Sequence, residues 1–341
     1  MPPGRHRIVR VAAIAAAITA ALAAAFAGCS GPRVSGFATA SVPAPTSSST
    51  PGTSGPAPAA SPSLSSGASP AASATVDAPA VLVGAGDIAS CGSGGDEATA
   101  DLLDVINGTV FTAGDNVYDR GTAAEFADCY DPTWGRHRER TLPVPGNHDY
   151  ETAGAAGYFG YFGAAVGDPA GGWYATDLGT WRIYALNSVC WAIGGCEAGS
   201  AQERWLRADL AANPRRCALA IWHHPLFSSG DHGSDPMTRA LWQALDDAGA
   251  EIVVNGHDHD YERFGPQDAT GTADAAGIVE YVVGTGGRSH YAFRTAIANS
   301  VVRDSATFGV VRFELHANSW ASTFVPVAGE SFTDAASGTC H

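Results

Sequence analysis

Predominantly apolar runs alternate with helical periodicities through the middle of the chain. Residues 80–85, 110–113, 218–222 and 252–254 are short, bare stretches of the kind that buried strands show. Between them, residues 96–106, 201–212 and 235–248 carry apolar side chains at helical spacing. Ala98, Leu102, Val105 and Ile106 fall on one face of the first helix, and Trp205, Leu206 and Leu210 on one face of the second. The last third reads differently. Residues 278–283, 309–315 and 319–325 form strand patterns separated by glycine or asparagine turns. The pattern predicts a mixed α/β (α+β) fold, in which ligands gather at loops leaving the carboxyl ends of strands.

Composition sets the limits of that fold. The 341 residues are 45% hydrophobic and 16% charged, enough to bury a core and too apolar for a wholly disordered chain. Nineteen basic residues face 34 acidic ones, and a formal charge of −15 excludes a surface built to grip nucleic acid, so no nucleic acid partner is expected. At the amino end Arg5, Arg7 and Arg10 precede an uncharged, alanine-rich stretch to residue 27. That stretch falls short of the roughly 20 strongly apolar residues that cross a bilayer, so residues 1–28 read as a cleaved export signal peptide. Ala27-Gly28-Cys29 resembles the lipobox of bacterial lipoproteins, which implies acylation of Cys29 and a cell-surface or secreted protein whose only membrane link is that lipid.

Residues 29–78 are Ser, Thr, Pro, Ala and Gly almost throughout and predict a flexible linker. Residues 79–341 then form a single domain. Six cysteines lie within it: Cys91, Cys129, Cys190, Cys196, Cys217 and Cys340. An even number in an exported chain predicts disulfides, and of the possible pairings only Cys190–Cys196, bracketing a short glycine-containing loop, is favoured by the sequence. Asn107-Gly108-Thr109 has the form of a glycosylation sequon but is read as a helix ending before a strand.

Five loops carry the chemistry, each directly after an apolar strand: Gly86-Asp87, Gly114-Asp115-Asn116-Val117-Tyr118, Gly146-Asn147-His148-Asp149, His223-His224-Pro225 and Gly256-His257-Asp258-His259. In most of them a glycine turns the backbone at the strand end, and every one offers oxygen or nitrogen donors. Such donors suit Fe, Zn or Mn, and there are more of them than one ion can take. Period-two spacing sends His257 and His259 to one side.

In this order the motifs resemble the calcineurin-like metallophosphoesterase superfamily and, within it, the purple acid phosphatase branch. The resemblance implies a four-layer α/β/β/α sandwich of two packed mixed sheets flanked by helices. It implies two metal ions, Fe(III) with Fe(II), Zn or Mn: one held by Asp87, Asp115, Tyr118 and His259, the other by Asp115, Asn147, His223 and His257. The wider superfamily often begins with Asp-x-His, whereas here Ile88 and Ala89 follow Asp87, so Tyr118 replaces that histidine; a phenolate favours ferric iron. His223 is preferred to His224 as ligand because the family pattern is His-x-Pro. His148 and His232 are expected beside the phosphate and leaving group, with Asp149 orienting His148. The implied activity is phosphate monoester hydrolysis by in-line attack of a metal-bridging hydroxide on a small substrate. Phosphodiester or nucleotide hydrolysis on the same metals is the alternative, and a tethered binding module without turnover is the third reading. Neither Gly-x-Ser-x-Gly nor His-Glu-x-x-His occurs, which disfavours serine hydrolase and zinc protease chemistry.

Overall fold

A computed structural model describes residues 78–215 and 217–341. The expected signal peptide, Cys29 and all but the last residue of the linker lie outside the described residues. In chain order the strands are β1 (Ala80–Ala85), β2 (Ala89–Ser90), β3 (Thr109–Thr112), β4 (Val117–Tyr118), β5 (Thr141–Leu142), β6 (Tyr174–Leu178), β7 (Trp181–Ala185) and β8 (Ala218–Ile221). They continue with β9 (Ile252–Asn255), β10 (Tyr261–Phe264), β11 (Val279–Val283), β12 (Ser300–Asp304), β13 (Gly309–Leu315), β14 (Ser319–Pro326) and β15 (Ala335–Thr339). The helices are α1 (Gly95–Val105), α2 (Ala123–Glu125), α3 (Ala156–Phe162), α4 (Ala201–Ala212) and α5 (Arg239–Asp246).

Two mixed sheets result, ordered β15-β14-β13-β1-β3-β5 and β12-β10-β11-β9-β8-β7-β6, with β2 and β4 forming a separate parallel pair. Strands β1, β3 and β5 run parallel, as do β7, β8, β9 and β11. Period-two alternation explains why β8 reads as a continuous apolar run. Leu219 and Ile221 enter the core that also holds Phe111, Tyr281 and Phe313, while Ala220 and Trp222 enter a second core with Leu206, Leu241, Trp242 and Leu245 from α4 and α5. Phe313 and Tyr281 span the space between the sheets, their rings 5.2 Å apart, and Tyr281 meets Ser322 Oγ at 2.7 Å. Helix α1 packs on β13, so helices flank both sheets as the sequence resemblance implies.

The predicted elements hold to within a residue or two, with two differences. Helix α1 buries Asp96, Thr99, Ala100 and Leu103, while Val105 is 77% exposed, so its inner face is rotated from the one the apolar residues suggested. The cause is polar. Thr99 Oγ1 donates to the Gly286 carbonyl at 2.6 Å and accepts from Trp134 Nε1 at 2.9 Å, which anchors that side of the helix inward. The third predicted helix begins as a 3₁₀ turn, Pro236–Thr238, before α5. Disulfides join Cys190 to Cys196, as expected, and Cys91 to Cys129 and Cys217 to Cys340. Among the described residues no helix is long and apolar enough to cross a membrane.

Glu280 on β11 is fully buried, and its Oε1 accepts the Leu226 and Phe227 N–H groups at 3.1 and 3.3 Å. Burial pushes its carboxyl well above the usual range, against a smaller opposing pull from those hydrogen bonds. The unfolded chain therefore loses this proton first. The stability tied to it is complete below about pH 4.3, the ordinary glutamate value, and falls as pH rises toward the folded pKa. Glu280→Gln keeps the acceptor and removes the titration. Its denaturation midpoint should match the parent near pH 4 and exceed it increasingly up to pH 8; a difference independent of pH would count against this assignment.

Candidate metal centre

All five motif loops leave the carboxyl ends of the parallel strands β1, β3, β5, β8 and β9, and so meet at one end of the two sheets. The first two are zipped together by backbone bonds from Asp87, Ile88 and Ala89 N–H to the carbonyls of Gly114, Asp115 and Asn116. This pairing becomes the β2–β4 ribbon and carries Tyr118 inward. Asp87, Asp115 and His257 have positive φ, at 59°, 48° and 72°. Backbone strain of this kind concentrates where surrounding structure fixes a side chain for function. The Gly146 position is similarly constrained, since a Cβ there would lie 2.1 Å from Asp115 Oδ1.

The side chains fall into two overlapping groups. In the first, Tyr118 Oη donates to Asp87 Oδ1 at 2.7 Å and lies 3.0 Å from Asp115 Oδ2 and 3.1 Å from His259 Nε2. His259 Nε2 is 3.2 Å from Asp87 Oδ1. In the second, His223 Nε2 lies 3.0 Å from Asn147 Oδ1 and 3.3 Å from Asp115 Oδ2, with the His257 ring 5.0 Å from that of His223. Asp115 Oδ2 touches both groups. Ligand-capable atoms of Asp87, Asp115 and His223 lie within 4.8 Å of one another, as do those of His223, His224 and His257.

Outer contacts fix which imidazole nitrogen faces the centre. His223 Nδ1 meets the Ala113 carbonyl at 2.8 Å and His259 Nδ1 meets Ser289 Oγ at 2.8 Å, leaving Nε2 inward in both. His224 Nδ1 is 2.9 Å from Ser188 Oγ, and its ring lies 4.4 Å from that of His257, so it stands at the edge of the second group. His148 is half-buried beside the Tyr118 ring at 4.4 Å. Exposed His232 stacks on His257 at 4.3 Å.

Electrostatics show what the cluster lacks. Asp87 and Asp115 are buried, and the side chains set against their carboxylates are the imidazoles of His259 and His223. Burial alone would lower the His223 pKa, but the Asp115 carboxylate outweighs it and pushes the value up to about 9. Burial lowers His257 strongly, and the neighbouring His223 adds to that. Burial, followed by the Asp115 and Asp87 charges, holds the Tyr118 phenol well above its usual range. A largely buried set of two carboxylates, a phenol, an amide and three clustered imidazoles suits cations, which would replace the protons now shared among these groups.

One expectation needs correction. Asp149 does not orient His148: its Oδ2 accepts from Gly146 N at 2.8 Å and from Asn116 Nδ2 at 2.9 Å, bracing two motif loops against each other. The orienting acceptor is the Asp119 carbonyl, 2.7 Å from His148 Nδ1. With Asp115 close by, burial raises the Asp149 carboxyl to about 7.

A sixth loop went unread in the sequence. Gly284-Thr285-Gly286-Gly287-Arg288-Ser289-His290-Tyr291 follows β11 and repeats the design of the other five. Ser289 supports His259, Tyr291 stacks on His259 at 4.0 Å, and the Arg288 guanidinium lies 5.0 Å from the Tyr118 ring centre. A glycine pair after a strand was the available sign.

Comparison with known proteins agrees with this geometry. The family model "Calcineurin-like phosphoesterase" matches residues 81–261. An uncharacterised protein of Mycobacterium tuberculosis is 32% identical over 235 residues, covering 57% of this chain and 43% of that protein. Purple acid phosphatase 15 of Arabidopsis thaliana is 29% identical over 181 residues, covering 45% and 32%. The chain thus spans less than half the length of these relatives. The structure of purple acid phosphatase PPD1 from yellow lupin superposes with a TM-score of 0.61 at 18% identity, covering 76% of this chain and 53% of that one, and so shares the fold.

Proposed function

The chain belongs to the calcineurin-like phosphoesterase family, and from that premise we propose that it is a metal-dependent phosphatase acting on small phosphate monoesters. The observation that carries this reading is the position of Asp115 Oδ2, within 3.0 Å of Tyr118 Oη and 3.3 Å of His223 Nε2, where a single carboxylate serves both ligand groups. In this reading Asp87, Asp115, Tyr118 and His259 hold one ion; Asp115, Asn147, His223 and His257 hold the other. Iron in the ferric state suits the tyrosine side, with Fe(II), Zn or Mn as partner. When bound, such a pair supplies Lewis-acid stabilisation of phosphate charge and acidifies the attacking water.

The protein's own groups do the rest. His148, its Nδ1 committed to the Asp119 carbonyl, turns Nε2 toward the substrate side and donates to a phosphate oxygen. His232, exposed and stacked on His257, stands where a leaving alkoxide departs and returns a proton to it. Asp149 acts at one remove, by keeping the Asn147 and Asn116 loops in register. Three disulfides and resemblance to the lipobox pattern support an exported protein, tethered or secreted.

The experiment is elemental analysis of the purified chain together with rates on an aryl monoester and a bis-aryl diester. Two metals per chain and faster monoester turnover are expected. One metal, or a diester preference, would overturn the dinuclear monoesterase reading.

A further inference from the structure

Asp258, the residue between the two motif histidines, points away from the centre and into the loop after β8. It is completely buried. Its Oδ1 accepts the His232 N–H at 2.7 Å; its Oδ2 accepts the Gly233 N–H at 3.1 Å and the Ser228 hydroxyl. Ser228 Oγ in turn accepts the Gly230 N–H at 2.9 Å, so one carboxylate organises the backbone from 228 to 233. A second observation agrees independently. A Cβ at Gly230 would lie 2.3 Å from Asp258 Cγ and 2.6 Å from its Cβ, so the loop is pressed against this side chain with no room for a methyl group. Beside it, Glu262 on β10 accepts Ser229 N–H at 2.7 Å, and Glu280 on β11 holds Leu226 and Phe227.

We propose that Asp258 is a positioning residue: its carboxylate holds the loop so that the His232 ring stays stacked on His257 and aimed at the leaving group. The inference rests on the role given to His232 above. Two backbone N–H groups and a hydroxyl converging on one buried carboxyl group make a directional anchor, and here they fix the very residue whose side chain must meet the substrate. An exposed histidine on an unanchored glycine-flanked turn would spend most of its time elsewhere.

The test uses Asp258→Asn, which preserves size but sets an amide N–H₂ against backbone donors. In the whole protein, hydrogen exchange at the His232 and Gly233 amides should accelerate about tenfold or more, while metal content is unchanged. Turnover of an alkyl phosphate, whose poor leaving group needs a proton, should fall about 10²-fold, and that of an aryl phosphate far less, with KM nearly constant. His232→Ala should give the same split, and the double variant should be no worse than His232→Ala alone. Gly230→Ala serves as the second variant should Asp258→Asn lose its metals, and the same exchange and leaving-group pattern is expected of it. Unchanged amide exchange in the variants, or losses that multiply in the double variant, would overturn the positioning role. Full activity of His232→Ala would instead refute the acid role of His232, while the exchange measurement still decides whether Asp258 anchors the loop.

Discussion

Exchanging Asp115 for asparagine should yield a folded chain that retains little metal and turns over about 10²- to 10³-fold more slowly, the scale seen when a group stabilising transition-state charge is removed. Both oxygens of this side chain are committed. Oδ1 accepts the His148 N–H at 2.8 Å, and Oδ2 faces Tyr118 Oη and His223 Nε2. An asparagine can be placed in two ways, and each fails. With its N–H₂ toward His148, donor meets donor and the loop carrying Asn147 and His148 is displaced. With its N–H₂ toward the shared position, a donor stands where an anionic ligand is needed. The chain also loses the carboxylate that holds His223 protonated in the metal-free state. Metal analysis and rates on one sample check the expectation; a variant that keeps both ions and near-parental turnover removes the shared-ligand reading.

Tyr118→Phe is expected to act on one side only. The ring keeps its packing against His148 and Arg288, so the fold should stand. The lost hydroxyl is the atom that meets Asp87, Asp115 and His259 within 3.1 Å. Retention of the ion on that side should weaken about 10- to 100-fold or more, a scale measured for supporting contacts alone. In iron-loaded protein the visible absorption of a tyrosinate bound to ferric iron should vanish with the hydroxyl. A coloured Tyr118→Phe protein would mean that another group supplies the phenolate, or that the colour has a different origin.

How legible the molecule was in its sequence depended on range. The strands were readable because both faces of the central ones are buried, which turns β8 and β9 into short apolar words. Most of the metal donors were readable because Asp87, Asp115, Asn147 and His223 each come directly after such a word or the glycine that ends it, and the others lie within a few residues in the same loops. Helix α1 misled because its inward face is set by Thr99 bonding to Gly286, a partner far along the chain that no local periodicity encodes. Asp149 misled for a related reason: adjacency to His148 suggested a pair, but successive residues here diverge, and the carboxylate turns back to Asn116 and Gly146. The loop from Gly284 to Tyr291 was passed over because its glycines introduce no carboxylate or paired histidine. Its contribution is support by a hydroxyl and an aromatic face.

The left-handed corners at Asp87, Asp115 and His257 have a bearing on durability. Each asks a residue with a side chain to hold a conformation that glycine takes without penalty, at about 1–3 kcal/mol apiece. Glycine at any of them relaxes the backbone while deleting a donor. Heat resistance and usefulness therefore pull in opposite directions at these corners, and a screen that rewarded survival of heating alone would drift toward sturdy, inert descendants.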